Sequence, residues 1–252
     1  TVKASAFAFR FQPALQMLLP LCALGLLTLA GFHDTPAGLA IVLTSAAPAI
    51  TGSVNLALIL GLDGGRMMQI LVLGTAAFPL TVLPVLAVLP QAGDSTQVAL
   101  AAVKLLGIIV AATGVGFALR AWVFPRPDAA RIKTLDGASV LAFSFIVVGL
   151  MAALNPALRA DPWGVALWAL LAFSISYLLQ LATLLILRRT ALRPLAGPLA
   201  LGAGNRNIAI FLVALPAEVL APLMIFIGCW QLPMYLTPIL LPRLYKRTLK
   251  HD

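Results

Sequence analysis

Residues 37–61 read AGLAIVLTSAAPAITGSVNLALILG, an apolar run of membrane-crossing length that is interrupted at its centre. Pro48 removes a backbone N–H and clashes with the carbonyl group four residues earlier, and Gly52 loosens the next turn. Residues 194–215 read PLAGPLALGAGNRNIAIFLVAL, where glycine and polar residues fill five of the six positions from 202 to 207. Kinks and small residues are common in membrane helices, but central interruptions in two spans favour discontinuous helices.

The composition predicts an all-α integral membrane protein. Hydrophobic residues make up 62% of the 252 residues and charged residues 10%, whereas a soluble domain carries about 25% charged residues. Apolar runs long enough to cross a bilayer follow one another without strand-like alternation. Helices satisfy their own backbone hydrogen bonds in lipid, so we expect about eight transmembrane helices in a single domain, residues 1–252. The predicted spans are Pro13–Ala30, Ala37–Gly61, Met67–Leu89, Gln97–Leu119, Gly137–Leu154, Pro162–Leu187, Pro194–Leu215 and Val219–Leu241.

The positions of the basic residues predict the orientation of these spans. The formal net charge is +9, with 17 Lys and Arg residues. If the chain starts in the cytoplasm and the spans alternate, fourteen of these 17 residues fall on cytoplasmic segments and Arg159 alone falls on an outer segment. This positive-inside pattern predicts a cell membrane protein, of the bacterial inner-membrane type, with both termini cytoplasmic. The charge therefore does not indicate a nucleic-acid partner. The cytoplasmic residues are Lys3, Arg10, Arg66, Arg120, Arg126, Arg131, Lys133, Arg188, Arg189, Arg193, Arg243, Lys246, Arg247 and Lys250.

The two interrupted spans, the second and the seventh, are five spans apart and so enter the membrane from opposite sides. Spans one to three and six to eight then form equivalent triplets of opposite orientation, as in an inverted repeat. Interrupted helices of such repeats meet near the bilayer midplane, where their free backbone groups face a substrate or an ion. We therefore expect a secondary transporter.

Motifs for enzymatic chemistry are absent from the sequence. Cys22 and Cys229 lie in apolar runs, whereas His33 lies in a loop and His251 in the C-terminal tail. The sequence has no nucleotide-binding glycine loop, metal-ligand spacing or nucleophile elbow. We therefore expect no enzyme, no cofactor and no metal site. The predicted cytoplasmic segment Thr1–Arg10 and the charged segment Arg126–Lys133 are both expected to be loops.

The interrupted spans also carry a family resemblance. Residues 47–63 resemble the broken fourth helix of the bile acid:sodium symporter family, with Pro48, Ser53 and Asp63 at the family spacing. Residues 202–207 resemble the broken ninth helix of that family, with Gly204 and Asn207 matching. The family's third helix carries a Gln and a Pro, which Gln16 and Pro20 resemble with Gln16 displaced by one position. The chain thus resembles family helices three to ten.

The resemblance implies a larger architecture and a substrate class. Family members have ten helices in two inverted five-helix units, divided into a core and a panel domain. The resemblance thus implies core helices at 13–89 and 162–241 and panel-type helices at 97–154. Two further helices are therefore expected upstream of Thr1. Family substrates are anionic and often amphipathic, so the resemblance implies either a bile-acid-like steroid or a smaller carboxylate.

At four positions where the family binds sodium, this sequence departs from the family pattern. The family ligands are an Asn, a Thr, a Glu and a Gln, and this chain has Val54, Leu71, Gly202 and Arg206 there. Asn55 and Thr75 lie a short step from two of these positions. A guanidinium offers donors and no acceptor to a cation. We therefore expect transport without sodium coupling, although a sodium-coupled symporter remains an alternative.

Arg206 is the charged residue that decides the predicted substrate. It lies thirteen residues beyond Arg193, about 20 Å along a helix and so near the bilayer centre. A midplane arginine costs at least about 2.5–3.5 kcal/mol on insertion scales and normally faces a partner or a cavity. Three roles remain open: a structural bond to backbone carbonyls, replacement of the sodium charge, or direct binding of an anion.

The predicted function is alternating-access transport of a small organic anion across the lipid bilayer. Two rival classes remain: a membrane-embedded ligand sensor, and a membrane enzyme using the polar group at 205–207. The predicted substrate site consists of Gln16, Thr51, Gly52, Ser53, Asn55, Thr75, Gly204, Asn205, Arg206 and Asn207.

Overall fold

The computed structural model describes residues 2–125 and 128–249, and these residues form helices and turns without a β-strand. The fourteen α-helices are α1 (Val2–Leu29), α2 (Pro36–Ala46), α3 (Ser53–Ile59), α4 (Gly64–Thr81), α5 (Leu83–Ala87), α6 (Ser95–Ala118), α7 (Ala129–Met151), α8 (Leu154–Ala160), α9 (Pro162–Leu187), α10 (Ala196–Gly204), α11 (Phe211–Ala214), α12 (Ala217–Leu220), α13 (Met224–Leu240) and α14 (Pro242–Leu249). Short 3₁₀ turns lie at Pro90–Ala92, Arg193–Leu195, Ile208–Ile210 and Ala221–Leu223, and a π-helical turn at Leu119–Val123 follows α6.

Five helical stretches are long and apolar enough, by length and composition, to cross a membrane. They coincide with the predicted third, fourth, fifth, sixth and eighth spans, and the prediction of an all-α, multi-pass membrane protein is confirmed at this level. The five stretches are Gly64–Ala87, Ser95–Val123, Ala130–Ala160, Pro162–Leu187 and Ala217–Leu240. The other three predicted spans are shorter in the described residues: α1 has an apolar part at Leu15–Leu29, and the second and seventh spans are broken.

Two segments predicted as loops are helical. Residues 2–10 belong to α1, because no glycine or proline precedes Pro13. The segment after residue 127 also enters a helix early, since the Asp128 carboxylate accepts the backbone N–H of Arg131 at 2.8 Å and caps α7. Arg131 and Lys133 are therefore helical and exposed, whereas Arg126 and both chain termini lie outside the described residues.

If the eight predicted spans alternate in direction, certain loops are expected on the same side of the membrane. Loops expected on the same side are in contact at each end of the bundle. At one end, the Arg66 guanidinium donates to the carbonyl of Pro194 at 2.5 Å, joining the turn before α4 to the turn before α10. At the other end, Gln91 donates to the Asp34 carboxylate at 3.3 Å. Glu218, before α13, lines a surface cleft with these two residues. The three loops that carry Asp34, Gln91 and Glu218, all predicted on the outer side of the membrane, therefore lie together. The two loops that carry Arg66 and Pro194, both predicted on the cytoplasmic side, are also in contact.

The buried side chains form two clusters, and each broken helix passes from one cluster to the other at its break. Residues of α2 up to Ala47 belong to the first cluster and Ala49 to the second. In the other broken helix, residues up to Leu201 belong to the second cluster, and Ile208 belongs to the first. The breaks therefore lie between the two hydrophobic cores, within the protein interior.

Candidate functional site

The first break, at residues 47–52, follows from a proline. Ala47 has φ −60° and ψ 148°, because a residue before proline is pushed from the helical into the extended region. Pro48 also has no N–H to continue the hydrogen-bond ladder of α2. The chain re-enters a helix at Ser53, whose hydroxyl donates back to the carbonyl of Ile50. Proline therefore ends α2 and leaves an extended segment before α3.

The second break, at residues 205–207, has a different cause because it contains no proline. Asn205 has φ −116° and ψ 78° and ends α10. Its side-chain amide donates to the carbonyl of Leu201 at 2.8 Å, the carbonyl that its own backbone N–H also contacts. Asparagine favours such local side-chain to backbone bonds, which compete with a continuing helix.

The two breaks pair with each other in an antiparallel arrangement. Ala49 and Arg206 form an isolated bridge. The N–H of Ile50 donates to the carbonyl of Asn205 at 2.9 Å, and the N–H of Asn207 donates to the carbonyl of Pro48 at 2.8 Å. The prediction that the two interruptions meet is confirmed by these bonds. We call this pairing of residues 47–52 with 205–207 the junction.

The Arg206 guanidinium occupies the junction and bonds both helix ends. Its Nε donates to the carbonyl of Ala203 at 2.9 Å, and its Nη1 donates to the carbonyl of Ala47 at 2.9 Å. In continuous helices these carbonyls would accept the N–H groups of Asn207 and Thr51. The guanidinium thus supplies donors that the two breaks have removed, and it places a positive charge at the C-terminal ends of α2 and α10, where the helix dipole favours a cation.

One part of the guanidinium has no such bond. Arg206 is fully buried, and its Nη2 has no hydrogen-bond acceptor among the described residues. An unpaired donor on a buried charged group is unfavourable by about 1–3 kcal/mol or more. This atom is therefore available for an additional acceptor, such as a carboxylate oxygen.

Helix α13 holds the junction from a third side. The indole Nε1 of Trp230 donates to the backbone carbonyl of Arg206 at 2.8 Å. The next residue, Gln231, is buried, and its amide nitrogen donates to the carbonyl of Ile227 at 3.0 Å. Its Oε1 has no donor among the described residues. Gln231 therefore adds an unpaired acceptor to the unpaired donor of Arg206.

A cavity of about 160 Å³ adjoins the junction. The junction and α13 contribute its polar residues, and α7 contributes an apolar wall. The lining residues are Ile50, Thr51, Phe143, Ile146, Val147, Leu150, Arg206, Asn207, Ile208, Ala209 and Gln231. Because the guanidinium itself is fully buried, a ligand in this cavity would contact it directly only after the neighbouring groups move.

Three of the ten predicted site residues line this cavity: Thr51, Arg206 and Asn207. Thr51 is exposed and Asn207 half-buried. Gly52, Ser53 and Asn205 belong to the junction or adjoin it without lining the cavity. The remaining predicted residues, Gln16, Asn55, Thr75 and Gly204, do not line the cavity either.

Gln16 and Asn55 occupy opposite environments. Gln16 of α1 is fully buried, and neither atom of its amide has a partner among the described residues. Asn55 of α3 is exposed, and Thr75 of α4 is half-buried. The structure therefore does not bring these three residues to the cavity.

Gly204 is buried, although the sequence placed it in the substrate site. A Cβ at this position would lie 2.4 Å from the carbonyl oxygen of Ser176 and 2.3 Å from Cγ of Gln180, both on α9. Glycine therefore permits close packing of α10 on α9, and this packing covers the backbone. Gln180 continues the contact by donating to Ser176 at 3.2 Å and to Thr237 at 3.3 Å.

Sequence reasoning missed the contribution of α13 and α7. Gln231 is a single amide in the apolar run MIFIGCWQLPMYLTPIL, and a polar residue inside a membrane span is itself a signal of function. The apolar wall from α7 has no comparable signal, because its residues resemble any lipid-facing helix.

The comparisons with known proteins leave the chain without a family assignment. No protein-family model matches the sequence, and no curated protein matches it.

Proposed function

We propose that this chain is a membrane transporter that moves a small organic anion by alternating access, as its resemblance to the bile acid:sodium symporter family implies. The observation that carries the proposal is the buried guanidinium of Arg206 at the meeting point of two broken helices, beside a cavity lined by Thr51, Asn207 and Gln231. Discontinuous helices that meet inside a bundle are typical substrate sites of secondary transporters. Guanidinium groups bind carboxylates and sulfonates with good geometry.

The residues around the cavity favour transport over an enzyme. The polar lining consists of a hydroxyl, two amides and a guanidinium, and no carboxylate, thiol or imidazole lies among them. These groups bind an anion but provide neither a general base nor an activated nucleophile. A sensor would require the same binding groups, and it differs from a transporter only in lacking movement of the ligand. Direct measurement of uptake separates these two possibilities.

The cavity volume supports a small substrate. A volume of about 160 Å³ is well below the roughly 300–1,000 Å³ of pockets that hold drug-sized ligands. The site therefore favours a short carboxylate or sulfonate over a steroid in the conformation described. The apolar residues of α7 suit a short alkyl or other apolar group on that anion.

The proposed architecture is an eight-span inverted repeat with both termini in the cytoplasm. It is supported by the loop contacts: Arg66 with Pro194 at one end, and Gln91 with Asp34 near Glu218 at the other. Strict alternation of the eight predicted spans puts these loops on common sides. The pairing of the second and seventh spans is also the contact that an inverted repeat requires.

Arg206 further supports uncoupling from sodium. Its guanidinium neutralises the C-terminal ends of α2 and α10, where a cation is electrostatically favoured. A sodium ion at the same place would be repelled by the guanidinium, which remains charged near neutral pH. The guanidinium therefore acts as a built-in cation. The substrate is carried either down its gradient or with protons.

We expect uptake and binding of a short carboxylate to be independent of sodium. Purified protein in liposomes is tested with acetate, pyruvate, methanesulfonate and taurocholate, first with sodium and then with choline at constant ionic strength. At least one small anion is expected to be taken up equally in both salts. A tenfold or greater gain in affinity with sodium, about 1.4 kcal/mol of coupling, would contradict this prediction. Binding without uptake would instead favour the sensor.

The topology gives a second expected outcome. Tags placed after Asp252 and between Arg126 and Lys133 are both expected to be cytoplasmic, because fourteen of the 17 basic residues lie on the predicted inner segments. A tag between Asp34 and Thr35 serves as the matched outer control. Labelling of intact cells with a membrane-impermeant reagent reports the side of each tag. Labelling of either inner tag would overturn the assigned spans.

A further inference from the structure

Helix α14 has two faces of different chemistry. Residues 242–249 read PRLYKRTL, so apolar and basic residues fall on opposite sides of the helix. Tyr245 is fully buried and Leu244 half-buried, whereas Arg243 and Lys246 are exposed. The helix starts two residues after the end of α13. It therefore lies at the end of the last membrane-crossing stretch, with a basic face left uncovered by the described protein.

The apolar face of α14 is anchored to the bundle. Tyr245 packs in one cluster with Leu184, Leu187 and Leu195, which border the turn between α9 and α10. Its hydroxyl donates to Oε1 of Gln180 at 2.7 Å. Burial raises the pKa of Tyr245 above its ordinary value, so the hydroxyl remains a donor at physiological pH. The position of α14 is therefore fixed relative to α9.

The anchoring brings a second pair of basic residues close to α14. Arg188 and Arg189 directly follow Leu187 at the end of α9, and both are exposed. Asp63, an acidic residue on the turn before α4 at this end, is already paired with Arg66 at 3.1 Å. The exposed charged residues described on α14 and at the end of α9 are all basic. We call Arg188, Arg189, Arg243 and Lys246 the basic patch.

We propose that α14 lies at the membrane surface and that the basic patch binds the headgroups of anionic phospholipids. The patch follows directly from the ends of the membrane-crossing stretches that contain α9 and α13, which puts it at the depth of the lipid headgroups. Amphipathic helices with basic polar faces bind anionic leaflets, and each Lys or Arg near the surface strengthens the attraction. A soluble anion lacks the acyl chains that hold a headgroup at this depth.

The same contacts connect the basic patch with the junction. Gln180 accepts the Tyr245 hydroxyl and bonds Ser176 and Thr237, and its side chain packs against Gly204 at the end of α10. Arg206 follows Gly204 by two residues. Lipid binding that fixes α14 would therefore also stabilise the packing of α10 beneath the junction.

The test measures binding of a fluorescent phosphatidylglycerol to purified, full-length protein in a neutral detergent. The variant R243Q/K246Q is expected to bind it at least about tenfold more weakly. A matched variant, R120Q/K133Q, removes the same charge from exposed positions on the π-helical turn after α6 and on α7 and is expected to change affinity little. Variant R188Q/R189Q removes the other half of the patch and is expected to reproduce the loss. Phosphatidylcholine and inorganic phosphate are expected to compete poorly with the probe.

Three results would overturn the proposal. Equal losses in R243Q/K246Q and R120Q/K133Q would indicate attraction by net charge alone. Efficient displacement by inorganic phosphate would indicate a phosphate site rather than a lipid site. Unchanged affinity in both patch variants, with unchanged thermal unfolding, would indicate that the patch only faces solvent. The measurement uses no transported substrate, so its result tests lipid binding independently of the proposed transport function.

Discussion

Replacing Arg206 with glutamine is expected to weaken binding of a small carboxylate by about a hundredfold. The substitution removes a buried positive charge beside the cavity, and loss of one partner from a buried, hydrogen-bonded charge pair costs 2–5 kcal/mol or more. Arg206→Lys is expected to lose about tenfold, because lysine keeps the charge but lacks the planar fork that bonds two acceptors. Isothermal titration with the carboxylate that gives the strongest uptake measures both affinities.

The structural role of Arg206 requires a separate control. Its guanidinium also bonds the carbonyls of Ala203 and Ala47, so glutamine is expected to lower stability as well as affinity. Trp230→Phe removes another bond at the junction, to the Arg206 carbonyl, while leaving the charge in place. This variant is expected to lose stability with little loss of carboxylate affinity. If the two variants lose affinity equally, Arg206 acts only by holding the junction together.

The sequence was sufficient to predict the class of the fold and the position of both breaks. Proline chemistry at Pro48 and the cluster at 202–207 are local signals, and local signals determine where a helix ends. The contact between the breaks was predicted from the inverted-repeat pattern of the spans, in which interrupted helices of opposite orientation meet. These predictions needed no knowledge of side-chain positions.

The composition of the site was less predictable, because it depends on how distant helices pack. Thr51, Arg206 and Asn207 line the cavity, since they lie in or beside the breaks. Asn55 was expected at the site because it lies close to a family position, but it is exposed, two residues into α3. A shift of one residue in a helix rotates a side chain by about 100°, so proximity in sequence does not ensure a common face.

The side chains of α13 that contact the junction, and the side chain of α9 that contacts Gly204, could not be predicted from sequence spacing. Gln231 and Trp230 reach the junction from α13, and Gln180 reaches Gly204 from α9. Each is a polar or amphipathic side chain inside an apolar span, which signals a buried role but not its location. The close approach of α10 to α9 depends on contact with the backbone at Gly204. The presence of a glycine in the sequence does not indicate which helix packs against it.

Substituting alanine for Gly204 is expected to reduce the free energy of unfolding by about 1–3 kcal/mol, the range for overpacking a well-packed interior. The added methyl group would lie 2.4 Å from the backbone carbonyl oxygen of Ser176, and a backbone atom on a long helix cannot move aside as the end of a flexible side chain can. Thermal unfolding in detergent, followed by circular dichroism, measures the change.

Two other glycines provide matched controls for this substitution. At Gly202, on the same helix, the nearest atom to an added Cβ is the flexible Cε of Met67 at 3.3 Å, so Gly202→Ala is expected to have a small effect. At Gly107, in α6, nothing lies within 4 Å, and alanine is expected to be neutral or slightly stabilising because it favours helix over glycine. Since α10 leads directly into the junction, the methyl group at Gly204 should also displace Arg206 and weaken carboxylate binding. Equal unfolding temperatures for Gly204→Ala and Gly202→Ala would contradict the close packing of α10 on α9, and with it the contact that connects α14 to the junction.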